Sequence, residues 1–184
     1  MSEQRRRPDR PEYYMGIAMA VRARANCLGN RVGAILVLDD RIISTGYNGT
    51  PSGMVNCLDG GCERCADRDR YGPAAGYDVC ICVHAEQNSL IAAARFGIAV
   101  AGSMLYTTMQ PCFGCAKELL QAQVRGVRYL HPWHPSDANL LRQYRLLLSR
   151  FPDGVTQIVV EDPDAAWAVS RLREADADTG HAAP

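Results

Sequence analysis

Net charge is missing from this sequence, which sets 20 basic residues against 20 acidic ones over 184 positions. A protein that grips long nucleic acid usually carries a basic surplus gathered on one face. The balance speaks against that partner and leaves a small anionic ligand in play. Long apolar runs are missing too. No stretch of about 18 apolar residues is present to span a bilayer, and the opening Met1-Ser2-Glu3-Gln4-Arg5 lacks the apolar core of a secretory signal. A cytoplasmic protein without a membrane partner is expected. No internal repeat is found, and with 47% apolar and 22% charged residues the composition gives no reason for disorder through the centre.

The length suits one domain. A flexible leader is expected over 1–11, where Arg5-Arg6-Arg7 reads as a solvated run. A single domain should occupy 12–174, and a small, polar tail 175–184. Apolar spacing predicts a helix over 12–26, terminated by Gly29 and Asn30. Two β-rich runs over 32–38 and 41–47 flank Asp39-Asp40 as a hairpin. A helix over 84–96, a strand over 104–108, a helix over 112–122 and a strand over 127–130 follow. Last come a helix over 137–148, a strand over 155–160 and a helix over 164–173. The alternation predicts an α/β fold, a three-layer α/β/α sandwich around a mixed sheet of about five strands. Between 48 and 83 there is no periodic pattern, and a loop of that length inside a small domain needs an anchor.

Cysteine is the residue that stands out. In a reducing compartment the eight cysteines point to metal ligation rather than to disulfides. Cys112 and Cys115 stand three apart, so one helical turn presents both sulfurs on the same side. His84, at the start of another predicted helix, can supply a third corner of a zinc tetrahedron. Three protein ligands leave a corner open for water, whose pKa such a metal lowers to about 7. Glu86 follows His84 closely enough to sit beside the metal without binding it, and its carboxylate can act as acid and base. Pro111 suits a helix start, and the helix N-terminus favours thiolate forms. A purely structural zinc, or a buried histidine with two inert cysteines, is the competing reading. The glutamate argues against it, because a structural site has no use for a non-ligating carboxylate.

His84-Ala85-Glu86 with Pro111-Cys112-Phe113-Gly114-Cys115 matches the H-x-E and P-C-x-x-C signature of zinc nucleobase deaminases. With Ser44-Thr45-Gly46-Tyr47-Asn48-Gly49-Thr50-Pro51 added, the sequence resembles the deoxycytidylate deaminases of the cytidine deaminase superfamily over about residues 13 to 131. The resemblance implies zinc-dependent hydrolysis of deoxycytidylate to deoxyuridylate, a thymidylate precursor, and ammonia. It also implies a homo-oligomer, deoxycytidine and thymidine triphosphate effectors, and Mg2+ on the effector nucleotide. Asn48 would hydrogen-bond the sugar, although Asn-Gly is equally a turn dipeptide, and the Ala85 backbone would touch the pyrimidine edge. Where the family usually places a tyrosine near the substrate, His131-Pro132-Trp133-His134-Pro135 stands here. Trp133 can stack but cannot copy a phenol's hydrogen bond to phosphate, and His134 is its candidate replacement. Arg31 and Arg95 are further phosphate candidates.

The cysteine-rich insert resembles that of the fungal members. Cys62 and Cys65 have zinc-knuckle spacing. Cys27, Cys57 and Cys82 match structural-zinc ligands of related enzymes, and Cys80 is either a ligand or a buried thiol. Six candidates thus compete for four places, which leaves one structural ion or two, and at least two zincs per chain in all. A closed thiolate site would contribute folding energy and hold the loop over the active site.

Overall fold

The computed structural model describes residues 6–71 and 79–172; the first five residues of the expected leader and the expected tail lie outside them. Asp9 opens the first helix. Its carboxylate accepts from Glu12 N at 2.8 Å while Glu12 Oε2 accepts from Asp9 N at 2.8 Å, a reciprocal capping box. Helix α1 therefore runs Arg10–Arg22, ending four residues short of the predicted end. Residues 23–26 peel away because Asn26 N donates to Asn48 O at 3.1 Å and the chain turns towards the buried sulfur of Cys27.

Strands β1 (Gly33–Leu38) and β2 (Arg41–Tyr47) form the hairpin. Asp39 and Asp40 turn it with φ of 48° and 59°, the left-handed pair that suits strand twist. Strands β3 (Met104–Met109), β4 (Gly126–His131) and β5 (Val155–Gln157) are mutually parallel, and β1 is antiparallel to β3. The order is β2-β1-β3-β4-β5, the mixed five-stranded sheet expected. Helices pack on both of its faces, the three-layer α/β/α sandwich expected.

Alternation along β1 sorts the core. Ile35 and Val37 meet Tyr14, Met15 and Ala18 of α1 on one face. Ala34 and Leu36 belong to the other core, with residues of α3 (Ala85–Arg95), α4 (Phe113–Gln121) and α5 (Ala138–Leu148). The excursion over 48–83 is punctuated by a 3-10 turn at Cys57–Asp59 and a short helix α2 (Glu63–Ala66). It begins and ends at one place, where Gly49 and Val83 form an isolated antiparallel bridge.

Two elements differ from the prediction near the C-terminal end. β5 stops at Gln157; Ile158 N still donates to Tyr129 O at 2.8 Å, and Val159 beyond it is 90% exposed. Helix α6 (Ala165–Ala168) breaks at Val169, which turns extended as Ala168 O accepts from Arg31 N at 2.8 Å. Among the described residues no helix is long and apolar enough to cross a membrane.

Candidate metal centre and cavity

One end of the sheet gathers the site. Asn48 follows β2, Val32 precedes β1, Met109 and Gln110 close β3, and Trp133 follows β4; all line a cavity of about 270 Å³ with His84, Ala85, Glu86 and Cys112. Carboxyl ends of strands are where α/β sheets ordinarily bind ligands.

Two helix starts supply the donors. His84 is the N-cap of α3 and Cys112 the N-cap of α4, with Cys115 in the first turn of α4. His84 Nδ1 lies 3.4 Å from Cys112 Sγ and 3.3 Å from Cys115 Sγ. Metal–ligand lengths of 2.0–2.3 Å in a tetrahedron put such a nitrogen and sulfur about 3.6 Å apart, so the donor set fits zinc. Among the described residues no fourth His, Cys, Asp or Glu joins this group. Cys112 is held down to about 4 by the hydrogen bond from Cys115, against the effect of burial and with help from His84.

Glu86 stands beside the donors and not among them. Its side chain is 4% exposed, and burial pushes its carboxyl up to about 7 while His84 pulls the other way. The helix that carries it is seated tightly. A Cβ on Gly46 would meet Ala85 O at 2.2 Å and Ser89 N at 2.4 Å, so glycine lets α3 rest directly on β2. Ser44 Oγ donates to Ser89 O at 2.6 Å and Asn88 Nδ2 to Tyr47 O at 2.7 Å. Gln87 ties the two donor helices together: its Oε1 accepts from His84 N and its Nε2 donates to Glu118 Oε1, both at 3.0 Å.

The remaining expectations divide. Asn48 lines the cavity, but its amide is engaged within the protein: Oδ1 accepts from Val32 N at 2.8 Å and Nδ2 donates to Asn30 O at 2.7 Å. Trp133 lines the cavity and meets Tyr144 edge-on, ring centroids 5.6 Å apart. His134 lies instead on a neighbouring groove with Pro135, whose carbonyl is 3.3 Å from His134 Nδ1. Arg31 stacks on Trp167 at 4.5 Å, and Arg95 is exposed at the far end of α3. Among the described residues the arginines that line the cavity are Arg64 and Arg68, which sequence reasoning passed over. Among the described residues the buried Arg64 Nε has no hydrogen-bond partner. Tyr144 was also missed; its hydroxyl donates to Pro111 O, directly ahead of Cys112. The six structural-zinc candidates come together too, in two groups of four: Cys27, Cys57, Cys65 and Cys82, and Cys62, Cys65, Cys80 and Cys82.

An α/β/α sandwich with three convergent donors at helix starts defines a zinc-site protein. A family model described as the cytidine and deoxycytidylate deaminase zinc-binding region matches residues 8–131. A deoxycytidylate deaminase of Schizosaccharomyces pombe is 39% identical over 129 residues, covering 70% of this chain and 39% of the fungal protein. One from Mycobacterium phage D29 is 36% identical, with 67% of this chain and 95% of the phage protein covered. The crystal structure of the dCMP deaminase from cyanophage S-TIM5 in complex with dCMP and dUMP aligns at TM-score 0.60 and 30% identity, over 84% of this chain and 100% of that one. The chain belongs to the cytidine and deoxycytidylate deaminase family.

Proposed function

We propose that this chain hydrolyses deoxycytidylate to deoxyuridylate and ammonia, supplying a thymidylate precursor. The observation that carries the reading is the three-donor group His84, Cys112 and Cys115 opening beside the buried, non-ligating Glu86. The names of the similar proteins, and the dCMP and dUMP in the cyanophage complex, support the choice of substrate.

When bound at these donors, zinc lowers the pKa of water to about 7. The chain's own residues do the rest. The Glu86 carboxylate takes one proton from the attacking water to N3 of the cytosine ring and then carries the remaining proton of the new C4 hydroxyl to the amino nitrogen. A C4–O bond forms, the C4–N bond breaks, and ammonia departs. The starts of α3 and α4 aim their positive ends at the donors, which favours thiolate. Trp133 gives the ring a face to stack on, and Arg64 and Arg68 offer positive charge to the 5′-phosphate.

Ammonia release tests the reading across deoxycytidine and cytidine, their mono-, di- and triphosphates, and a tRNA anticodon stem. Deoxycytidylate should give the highest kcat/KM, and Arg64→Gln should shrink its advantage over deoxycytidine. Preference for the free nucleoside in the wild-type protein defeats the nucleotide reading. Zinc-loaded protein that releases no ammonia from any of them defeats the enzymatic one.

A further inference from the structure

We propose that Cys27, Cys57, Cys62, Cys65, Cys80 and Cys82 hold two zinc ions in one sulfur-bridged cluster, with Cys65 and Cys82 binding both. The inference rests on the spacing, burial and hydrogen bonding of the sulfurs and stands independently of the deaminase reading.

Each of the two groups of four has all its sulfurs within 4.8 Å of one another, and the groups share Cys65 and Cys82. Individual separations are 3.8 Å for Cys27 and Cys65, 3.9 Å for Cys62 and Cys80, and 3.6 Å for Cys65 and Cys80. A zinc tetrahedron with Zn–S bonds of about 2.3 Å has edges of about 3.8 Å. The sulfurs therefore already stand at the spacing of metal ligands, and far beyond a bonded pair of about 2.05 Å. All six are free thiols, and all but Cys80 are buried.

Ordinary apolar packing does not account for them. Buried cysteines of that kind sit among aliphatic carbon, whereas here the five buried thiols pack on one another, with Leu28 and Cys80 as their partly buried apolar neighbours. Backbone donors also point at sulfur. Leu28 N donates to Cys57 Sγ and Gly29 N to Cys27 Sγ, each at 3.3 Å, the outer hydrogen bonds a metal-bound thiolate uses.

A single ion would leave two of the six unused. Closing on the first group strands Cys62 and Cys80; closing on the second strands Cys27 and Cys57, the latter with 0% exposure. Two tetrahedra sharing the Cys65–Cys82 edge employ every sulfur, with Cys27 and Cys57 terminal on one ion and Cys62 and Cys80 on the other. Assembly releases six thiol protons to solvent and leaves a formal charge of minus two. Arg64 and Arg68 line the same cavity as Cys27, Cys65, Cys80 and Cys82 and set positive charge in the same neighbourhood. Five of the ligands belong to the excursion and Cys27 to the loop after α1, so the cluster staples the excursion to the body.

Zinc in the full purified chain, measured by plasma mass spectrometry, should amount to three ions: two in the cluster and one at His84, Cys112 and Cys115. Cys80 is at the partly exposed edge, and Cys80→Ala should bring the total to two. Loading with cadmium-113 decides whether sulfur is shared. The resonances of two thiolate-bound ions should split each other by scalar coupling, while the third stays unsplit. Three zincs with a coupled pair support the cluster whether or not Cys80→Ala folds. A wild-type chain whose thiolate-bound ions show no coupled pair, whatever its zinc total, overturns it.

Discussion

Glu86 is the side chain on which turnover depends in this reading. It is enclosed by α3, the donor residues and the cavity wall, and its carboxyl is raised to about 7, chiefly by burial. Glu86→Gln keeps the shape and removes the titratable proton. The variant should retain zinc and fold while losing at least about a hundredfold in kcat, the usual contribution of a positioned acid–base group. Near-normal ammonia release from a zinc-loaded variant would refute the role. These residues were legible because their relation is local. Cys112 and Cys115 share one helical turn, and His84 and Glu86 flank one helix start. Arg64 and Arg68 were not, since a loop without periodicity gives no hint of which way its side chains face. Asn48 was half legible: the sequence placed it at the site, but its amide is occupied with Val32 and Asn30.

The donor helices owe their place to contacts that pattern alone does not reveal. Periodicity located α3 and α4 to within a residue or two, because apolar spacing and Gly97 after the last turn are signals within a single segment. What seats α3 is Gly46, on a different strand. Gly46→Ala drives a methyl into the backbone of α3 at Ala85 and Ser89, where neither atom can rotate away. Urea unfolding should register a loss of at least about 1–3 kcal/mol, the range for overpacking. Zinc affinity should fall with it, because His84 caps the displaced helix. Unchanged stability would mean that α3 does not rest on β2 as described. The early end of β5 and the break in α6 at Val169 were illegible for a related reason: where β5 leaves β4, and where Ala168 O accepts from Arg31 N, are tertiary facts.

Across the whole molecule, one buried ion pair ties the N-terminal helix to the segment after β5. Arg22 and Asp162 side chains are 1% and 4% exposed and meet through two hydrogen bonds of 2.7 Å, and His131 Nε2 lies 2.6 Å from the same carboxylate. Burial alone would raise Asp162; the hydrogen bonds from Arg22 and His131 outweigh it and hold the carboxyl down to about 2. A group depressed on folding stabilises the folded state above its unfolded pKa, near 3.9, and that stability drains away as pH falls through the folded value. Unfolding free energy should therefore decline between about pH 4 and pH 2, and Asp162→Asn should remove this component. The substitution leaves Arg22 buried and half-paired, at about 3–5 kcal/mol. A separation of 140 residues hides such a pair from any reading of sequence windows. The bridge between Gly49 and Val83 works at the same scale. Since the chain departs and re-enters through adjoining rungs, everything between is a cassette. A short turn could bypass it without rethreading a single strand, but Cys27 would then lose its thiol partners and the cavity Arg64 and Arg68.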